Sequence, residues 1–266
     1  MTQVALVTGA ARGIGAATVQ RFAAEGWAVL AIDRCADEPA LPYALGTKEE
    51  LDQVVTGASA AAGDPGAVRG FVADTRDASA LASAVAEAER RWGGLDAAVA
   101  AAGVIAGGVP LWEMPTEQEQ AVLDIDLGGV LALARAAIPA LLRRPEPRSG
   151  RFLAMASAAA TRGLPMLAAY CAAKAGVAGL IRALATELGG TGVTANAVSP
   201  GCTDTQILAE SARLYGLPSA GSFASQQPLA RLLRPEEVAA ALVWLAGTDS
   251  SGMTGAVVPV DGGLAL

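Results

Sequence analysis

Short runs of nearly uninterrupted apolar residues alternate along the chain with longer stretches whose apolar positions recur at helical spacing. An uninterrupted apolar run is typical of a strand buried on both faces of a parallel sheet. These runs predict seven strands, over residues 4–8, 28–33, 70–73, 95–100, 152–156, 194–199 and 256–260. Strands and helices alternating in this way predict one α/β domain over residues 1–266: a doubly wound (Rossmann) domain with a parallel seven-stranded sheet and helices on both faces.

Helix starts are marked by capping signals between these runs. Thr47 followed by Glu50, and Thr116 followed by Glu119, each match the capping box that begins a helix. Pro235, with two glutamates after it, is typical of a first helical turn. These signals place helices in the connections between strands, as a parallel sheet requires.

Two connections are longer than a simple crossover needs. Residues 34–69 contain prolines at 39 and 42, the helix start after Thr47 and a turn at 63–66, and we interpret the segment as an insertion. Residues 202–228 contain a short helical stretch over 206–215, and we interpret them as a substrate loop. Both follow the carboxyl ends of predicted strands, where open α/β sheets bind ligands.

Composition excludes several classes of function. The chain is 53% hydrophobic and 17% charged, which is ample for a large core and excludes a disordered protein. A net charge of −7 gives no excess of basic residues with which to bind nucleic acid. The absence of histidine excludes Ser–His and Cys–His catalysis and imidazole metal sites. Three distant cysteines without a CxxC motif predict neither a disulfide framework nor a metal site.

The same features predict a cytoplasmic protein without a membrane partner. The first residues lack the basic and apolar regions of a signal peptide. The most apolar long stretch, residues 127–142, is interrupted by Arg135 and is too short to cross a bilayer. A reducing compartment also fits the cysteine count.

A glycine-rich loop follows the first predicted strand, with Gly9, Gly13 and Gly15 directly before a helical stretch. Glycines let the backbone turn sharply and approach a pyrophosphate, whose charge the N-terminus of the next helix favours. A tight strand-to-helix turn without a ligand is the alternative to a dinucleotide site. Asp33, at the end of the second predicted strand, favours the dinucleotide, because a carboxylate there accepts hydrogen bonds from the adenosine ribose hydroxyls.

Two arginines in the same region bear on the choice of cofactor. Arg12 and Arg34 are candidate ligands for the 2′-phosphate of NADP. A fixed carboxylate about 4 Å from that phosphate would cost about 4 kcal/mol per unit charge at an effective dielectric of about 20. An exposed arginine pair contributes only about 0–1 kcal/mol. The balance favours NAD over NADP.

Tyr170 and Lys174 lie four residues apart in a helical stretch that continues to about residue 188, so their side chains share one helix face. An ammonium beside a phenol stabilises the phenolate and lowers the pKa of the phenol toward neutral pH, where the phenol can act as a general acid or base. For this pair in isolation, a surface tyrosine beside a lysine is the better interpretation. Ser157, at the end of the fifth predicted strand, weakens that interpretation because it supplies a hydroxyl at the same sheet edge.

In this order and spacing, the motifs Thr8-Gly9-x₃-Gly13-x-Gly15, Ser157, Tyr170-x₃-Lys174 and Pro200-Gly201-x₃-Thr205 resemble the short-chain dehydrogenase/reductase family over essentially the whole chain. The resemblance implies that the tyrosine exchanges a proton with the substrate alcohol or carbonyl, and that the serine orients the reacting oxygen. It implies that the lysine binds the nicotinamide ribose and lowers the pKa of the tyrosine, while hydride moves between the substrate carbon and the nicotinamide.

The resemblance also implies where the rest of the cofactor lies. Asp74 would meet the adenine, residues 101–103 would run along the cofactor, and residues 200–205 would hold the carboxamide. The complete set of expected cofactor-binding residues is Gly9, Arg12, Gly13, Ile14, Gly15, Asp33, Arg34, Asp74, Thr75, Ala101, Ala102, Gly103, Tyr170, Lys174, Pro200, Gly201, Thr203 and Thr205.

Two positions depart from the family pattern. Ala101 stands where the family usually has asparagine, a change that the backbone path can survive. Asp126 stands at the position of the helix asparagine that helps to keep a water in the proton relay from the lysine. Aspartate is nearly isosteric with asparagine but loses the amide donor and adds a potential charge. Activity survives if this position mainly shapes the helix backbone; it falls or moves in pH if the amide donor is required.

The insertion, from Ala40 to Leu51, is similar to one in the mycofactocin-coupled, carveol dehydrogenase-like branch of the family, as is the ending from Leu229 to Leu264. That resemblance implies that the insertion covers NAD, which is then re-oxidised in place by the mycofactocin redox peptide. An insertion that only caps the sheet edge is the alternative. The family resemblance further implies a homotetramer, for which the apolar helix over 128–142 is a candidate contact surface.

Three functions remain open on the sequence. The first is an NAD-dependent dehydrogenase of a secondary or cyclic alcohol, or a reductase of the matching ketone. The second is an NAD-binding protein that has lost its chemistry, and the third is an NADPH-linked ketoacyl-type reductase. An apolar lid favours a hydrophobic alcohol over a sugar or an acyl carrier. Its expected residues are the stretch 164–167 after the serine and, from the substrate loop, Ile207, Leu208, Leu214, Tyr215, Leu217 and Phe223.

Overall fold

Seven parallel strands form the sheet in the computed structural model, which describes residues 2–266. They are β1 (Val4–Thr8), β2 (Ala28–Asp33), β3 (Val68–Val72), β4 (Ala97–Ala100), β5 (Arg151–Met155), β6 (Thr194–Pro200) and β7 (Val257–Val260). Their order is β3-β2-β1-β4-β5-β6-β7, so the chain reverses direction across the sheet between β1 and β4. The doubly wound fold predicted from the sequence is confirmed, and such a reversal is where open α/β sheets bind ligands.

Eight α-helices connect and cover the strands. They are α1 (Gly13–Ala24), α2 (Lys48–Ala62), α3 (Ala78–Trp92), α4 (Thr116–Leu123), α5 (Gly129–Arg143), α6 (Ala168–Glu187), α7 (Gln206–Leu214) and α8 (Pro235–Ala246). A π-helical turn, Asp124–Gly128, joins α4 to α5 without a break.

The alternation of side chains along the strands divides the core into two layers. Along β1, Val4 and Leu6 face one layer, which is formed with α3, α5 and α6. Ala5 and Val7 face the other layer, formed with α1, α2 and α8. Because both faces are covered, the strands need apolar residues at every position, which explains the uninterrupted runs in the sequence.

One of the predicted helix starts is wrong. Thr47 does cap α2, since its hydroxyl accepts the Glu50 N–H at 3.1 Å and the Glu50 carboxylate accepts the Thr47 N–H at 2.8 Å. Thr116, in contrast, is the first residue inside α4, and no side chain caps that helix. The Pro115 carbonyl already accepts the N–H of residues 118 and 119, so the helix begins one residue earlier than the capping box requires.

Two helical segments are long and apolar enough to cross a bilayer by length and composition: Thr116–Arg143 and Ala168–Glu187. The apolar stretch 127–142 is therefore part of a longer helix than the sequence suggested. In their most apolar windows 56% and 44% of the residues are buried, and their inner faces pack on the sheet as core helices.

Candidate active site

A cavity of about 900 Å³ opens at the carboxyl ends of the central strands. It is lined by Ser157 and by every residue that the sequence assigns to the cofactor, so the fold brings these separated motifs to one place. Asp126 is the exception among the expected site residues, because it lies behind the cavity wall with no exposed surface.

The glycine loop after β1 has no room for side chains. A Cβ at Gly15 would lie 2.0 Å from the Gly9 carbonyl oxygen, and a Cβ at Gly9, whose φ is +67°, would lie 2.7 Å from the Ala102 backbone. The next helix, α1, begins after Arg12 without a side-chain cap. Its first N–H groups are therefore free to bind an anion, and a pyrophosphate fits this cradle.

Asp33 is held in a fixed orientation at the end of β2. Its Oδ2 accepts the Ala11 N–H at 3.0 Å and its Oδ1 accepts the Cys35 N–H at 3.1 Å. Each carboxylate oxygen retains a further lone pair for a ribose hydroxyl. Gly46 of the insertion covers this group, since a Cβ at residue 46 would lie 3.1 Å from the Asp33 Oδ1.

Both arginines considered for a 2′-phosphate are engaged within the protein. Arg34 lies 2.7 Å from the Glu38 carboxylate and 3.3 Å from that of Asp74. Arg76 joins the same two carboxylates at 2.8 and 2.7 Å. Burial raises the pKa of Asp74, but the hydrogen bonds from Arg76 outweigh burial and hold that pKa below its ordinary value. Arg12 donates to the backbone carbonyl of residue 44 at 2.8 Å. The network favours a cofactor without a 2′-phosphate.

Ser157, Tyr170 and Lys174 converge at the end of β5. Tyr170 lies in the first turn of α6, and the Lys174 Nζ lies one turn later, 5.6 Å from the centre of the Tyr170 ring. Lys174 also donates to the carbonyl of Met155, the last residue of β5, at 3.2 Å. The surface-pair interpretation of Tyr170 and Lys174 is excluded, because Lys174 is only 4% exposed.

The ionisation of Tyr170 differs from the sequence expectation. Burial raises the pKa of the phenol most strongly, and the Asp126 carboxylate raises it further. Lys174 and Ser157 both lower it, as predicted for the lysine, but they do not offset the burial. In the protein alone, the pKa of Tyr170 therefore lies above its ordinary value.

Asp126 lies on the π-helical turn and faces Lys174. Its Oδ1 accepts the Val104 N–H at 2.7 Å, and its Oδ2 lies 3.1 Å from the Lys174 Nζ. Gly103 lies against the pair, since a Cβ there would lie 3.4 Å from the Lys174 Nζ and 3.5 Å from the Asp126 Oδ1. The sequence suggested a lost amide donor at this position, whereas the structure shows an ion pair.

The insertion contributes cavity residues that the sequence did not single out. Tyr43 and Leu45 line the cavity, and the Tyr43 hydroxyl accepts the Ile105 N–H at 2.9 Å. Burial raises the pKa of Tyr43 above its ordinary value. Leu41, Tyr43 and Leu45 of the segment pack into an apolar cluster with Val104, Ala106, Val122, Ile125, Ala169 and Ala173. A tyrosine next to a proline in a long loop is a signal that could have identified this anchor.

The end of the cavity beyond Ser157 is mainly apolar. The expected lid residues that line it are Leu164, Pro165, Leu167, Ile207, Leu208, Tyr215, Leu217 and Phe223, whereas Met166 does not. Leu214 does not line the cavity; it packs against the backbone of Gly108 instead. Arg162 was not predicted and adds one cation to this end, where it donates to the Leu264 carbonyl at 2.6 Å.

Comparison with known proteins covers nearly the whole chain. The family model described as Enoyl-(Acyl carrier protein) reductase matches residues 9–265. The chain is 34% identical to the 3-oxoacyl-(acyl-carrier-protein) reductase FabG of Thermotoga maritima, over 99% of this chain and 98% of that protein. It is 36% identical to a cis-4-hydroxycyclohexanecarboxylate dehydrogenase of Sinomonas cyclohexanicum, over 98% and 96%. The crystal structure of carveol dehydrogenase from Mycobacterium avium in complex with NAD superposes with a TM-score of 0.91 at 32% identity, over 98% and 97% of the two chains.

Proposed function

Since the chain belongs to the short-chain dehydrogenase/reductase family, we propose that it is an NAD-dependent oxidoreductase of hydrophobic secondary or cyclic alcohols and their ketones. The observation that carries the proposal is the convergence of Ser157, Tyr170 and Lys174 at one end of a cavity whose other end holds Asp33. A set of alcohols and ketones, assayed with NAD and with an artificial electron acceptor, tests it.

The chain's own residues supply the proton chemistry. When bound, NAD exchanges a hydride with the substrate carbon. The Tyr170 hydroxyl gives a proton to the substrate oxygen in reduction and takes it back in oxidation, while Ser157 hydrogen-bonds the same oxygen. Lys174, held by the Met155 carbonyl at 3.2 Å, presents its ammonium beside the phenol and would bind the nicotinamide ribose of NAD.

NAD is the proposed cofactor because of the groups around Asp33. The carboxylate suits two ribose hydroxyls and repels a phosphate at the same place. Arg34 is occupied by Glu38 and Asp74, so it is not free to offset that repulsion. The carveol dehydrogenase structure was determined with NAD, which supports the same choice.

The insertion is proposed to hold NAD so tightly that it is re-oxidised in place, with mycofactocin as the redox partner. Three contacts fix the segment over the cavity: Glu38 to Arg76 at 2.8 Å, Arg12 to the carbonyl of residue 44 at 2.8 Å, and the Ile105 N–H to Tyr43 at 2.9 Å. A cover anchored at three points opens rarely, which slows release of whatever lies beneath it. An insertion that merely caps the sheet edge needs no contact with Ile105, which follows the central strand β4.

Tyr43→Phe is expected to speed the release of bound NAD about five-fold or more. The substitution keeps the ring but leaves the buried Ile105 N–H without its acceptor, which costs the closed state about 1–3 kcal/mol. Exchange of bound NAD for labelled NAD measures the rate. Tyr215→Phe is the matched control, since it removes a hydroxyl bonded to the Pro165 carbonyl at the substrate end. Equal exchange rates in Tyr43→Phe and the wild type would contradict the proposed cover.

The substrate class rests on the apolar end of the cavity. Leu164, Leu208 and Phe223 offer contacts to a hydrocarbon ring or chain and few hydrogen bonds to a sugar. The names of the Sinomonas and Mycobacterium avium relatives both indicate cyclic alcohols.

A homotetramer and a cytoplasmic location are proposed on family grounds alone. Sedimentation tests the oligomeric state, and cell fractionation tests the location.

An NADPH-linked ketoacyl-type reductase is the second candidate, and the name of the Thermotoga maritima relative favours it. The fixed Asp33 carboxylate opposes it, because NADP would bring a phosphate to that oxygen. Affinities for NAD and NADP, measured side by side, decide between the two. A protein that binds NAD but transfers no hydride is excluded by turnover with any alcohol or ketone.

A further inference from the structure

A buried ion pair lies directly behind the phenol that moves the proton. Asp126 has no exposed surface and Lys174 is 4% exposed, and their charged atoms are 3.1 Å apart. Because almost none of either side chain is exposed, water screens these charges little and each acts strongly on its neighbours. The pair is built from two distant segments, the π-helical turn after α4 and the second turn of α6.

The groups around the pair leave the Asp126 carboxylate with one counter-ion. The titratable groups that face Tyr170 are Lys174, Asp126 and Cys171. Asp126 itself faces Lys174 and, from the insertion, Tyr43. Lys174 faces Asp126 and Tyr170. The phenol is therefore next to an ammonium whose charge is largely neutralised, and not next to a free cation.

We propose, resting on the function above, that Asp126 is a positioning residue of the proton step: its carboxylate holds the Lys174 ammonium in place and offsets its charge at the Tyr170 hydroxyl. In reduction, the substrate carbon gains a hydride from reduced NAD, and the substrate oxygen gains the Tyr170 proton. In oxidation, both transfers reverse, so the phenol must first have lost its proton. Through Lys174, Asp126 sets the pH range in which this is possible.

The charges within the site support this role. Burial by itself lowers the pKa of Lys174, but Asp126 and Tyr170 outweigh it and raise that pKa above its ordinary value. Burial raises the pKa of Asp126, against the opposing attraction of Lys174. At Tyr170 the same carboxylate acts in the direction of burial and raises the pKa of the phenol. Removing the carboxylate charge should therefore let the Tyr170–Lys174 pair lose its first proton at lower pH.

Asp126→Asn tests the proposal, because the amide keeps the shape and its oxygen can still accept the Val104 N–H. The ultraviolet absorbance of phenolate is titrated in the protein as purified, and the same titration in the Tyr170→Phe background subtracts Tyr43 and Tyr215. Asp124→Asn is the matched control. It removes a carboxylate two residues away that accepts from the Gln120 amide at 2.7 Å and does not line the cavity.

The expected result is a phenolate titration that begins about one pH unit or more lower in Asp126→Asn than in the wild type, with Asp124→Asn unchanged. The acid limb of alcohol oxidation should move in the same direction. An unchanged titration, a shift to higher pH, or an equal shift in Asp124→Asn would overturn the proposal. The absorbance titration needs no substrate, so it decides the role of Asp126 even if no alcohol is oxidised, a result that would count against the proposed function alone.

Discussion

Tyr170→Phe is expected to lower turnover about 10²–10⁴-fold while NAD stays bound. The phenylalanine ring fills the same half-buried position in the first turn of α6 but has no proton to give or take. Lys174 keeps its bond to the Met155 carbonyl and its contact with Asp126, so the surrounding site should not rearrange. Single-turnover rates in both directions, with the bound nucleotide quantified in the same samples, measure the effect.

The control for this substitution is Ser211→Ala in α7. Ser211 also lines the cavity, but its hydroxyl donates to the Ile207 carbonyl at 2.8 Å within its own helix. We expect its turnover to stay within a few-fold of the wild type. Tyr170→Phe with the activity of the parent would show that another group moves the proton and that the proposed mechanism is wrong.

Asp33→Asn is expected to shift the preference between NAD and NADP about a thousand-fold toward NADP. The amide still fits beneath Gly46 and accepts one of the two N–H groups now bound by the carboxylate, those of Ala11 and Cys35. It loses the charge that repels a 2′-phosphate, worth about 4 kcal/mol at about 4 Å. It also weakens the hydrogen bonds to the ribose hydroxyls, because bonds to a charged acceptor are stronger.

The ratio of the two dissociation constants is the measurement, since a general loss of stability would weaken both cofactors alike. Glu49→Gln, on the exposed first turn of α2, removes a nearby carboxylate that does not line the cavity and should leave the ratio unchanged. A ratio in Asp33→Asn equal to that of the wild type would contradict the role assigned to Asp33.

The positions of the strands were predictable where helices cover both faces of the sheet. β1 and β2 have the predicted bounds, and every residue of β1 and all but the last of β2 are buried. β4 and β5 are buried throughout as well, and their bounds differ from the prediction by only one or two residues. β3 lies at the sheet edge, where Arg69 and Val72 are exposed, so its apolar run is broken and the prediction began at residue 70. The error at Thr116 has a similar origin, because the carbonyl of a neighbouring proline, and not a side chain, begins the helix.

The site residues were predictable where the members of a motif lie close together in the sequence. Tyr170 and Lys174 share one helix, and Gly9 to Gly15 lead directly from β1 into α1, so their spacing, taken with Ser157 and Asp33 at the strand ends, indicates their chemistry. The Tyr43–Ile105 bond and the Asp126–Lys174 pair join distant segments. Their geometry depends on how the insertion folds back and how the π-helical turn is wound, neither of which leaves a spacing rule in the sequence.

The central claim, that NAD is held beneath the insertion for hydride transfer at Tyr170, is tested most directly by denaturing the purified protein and quantifying the nucleotides released per chain. The fixed Asp33, the occupied Arg34 and the anchored Tyr43 predict close to one NAD per chain and no NADP. Stoichiometric NADP would contradict the role of Asp33, and little or no nucleotide would contradict the cover.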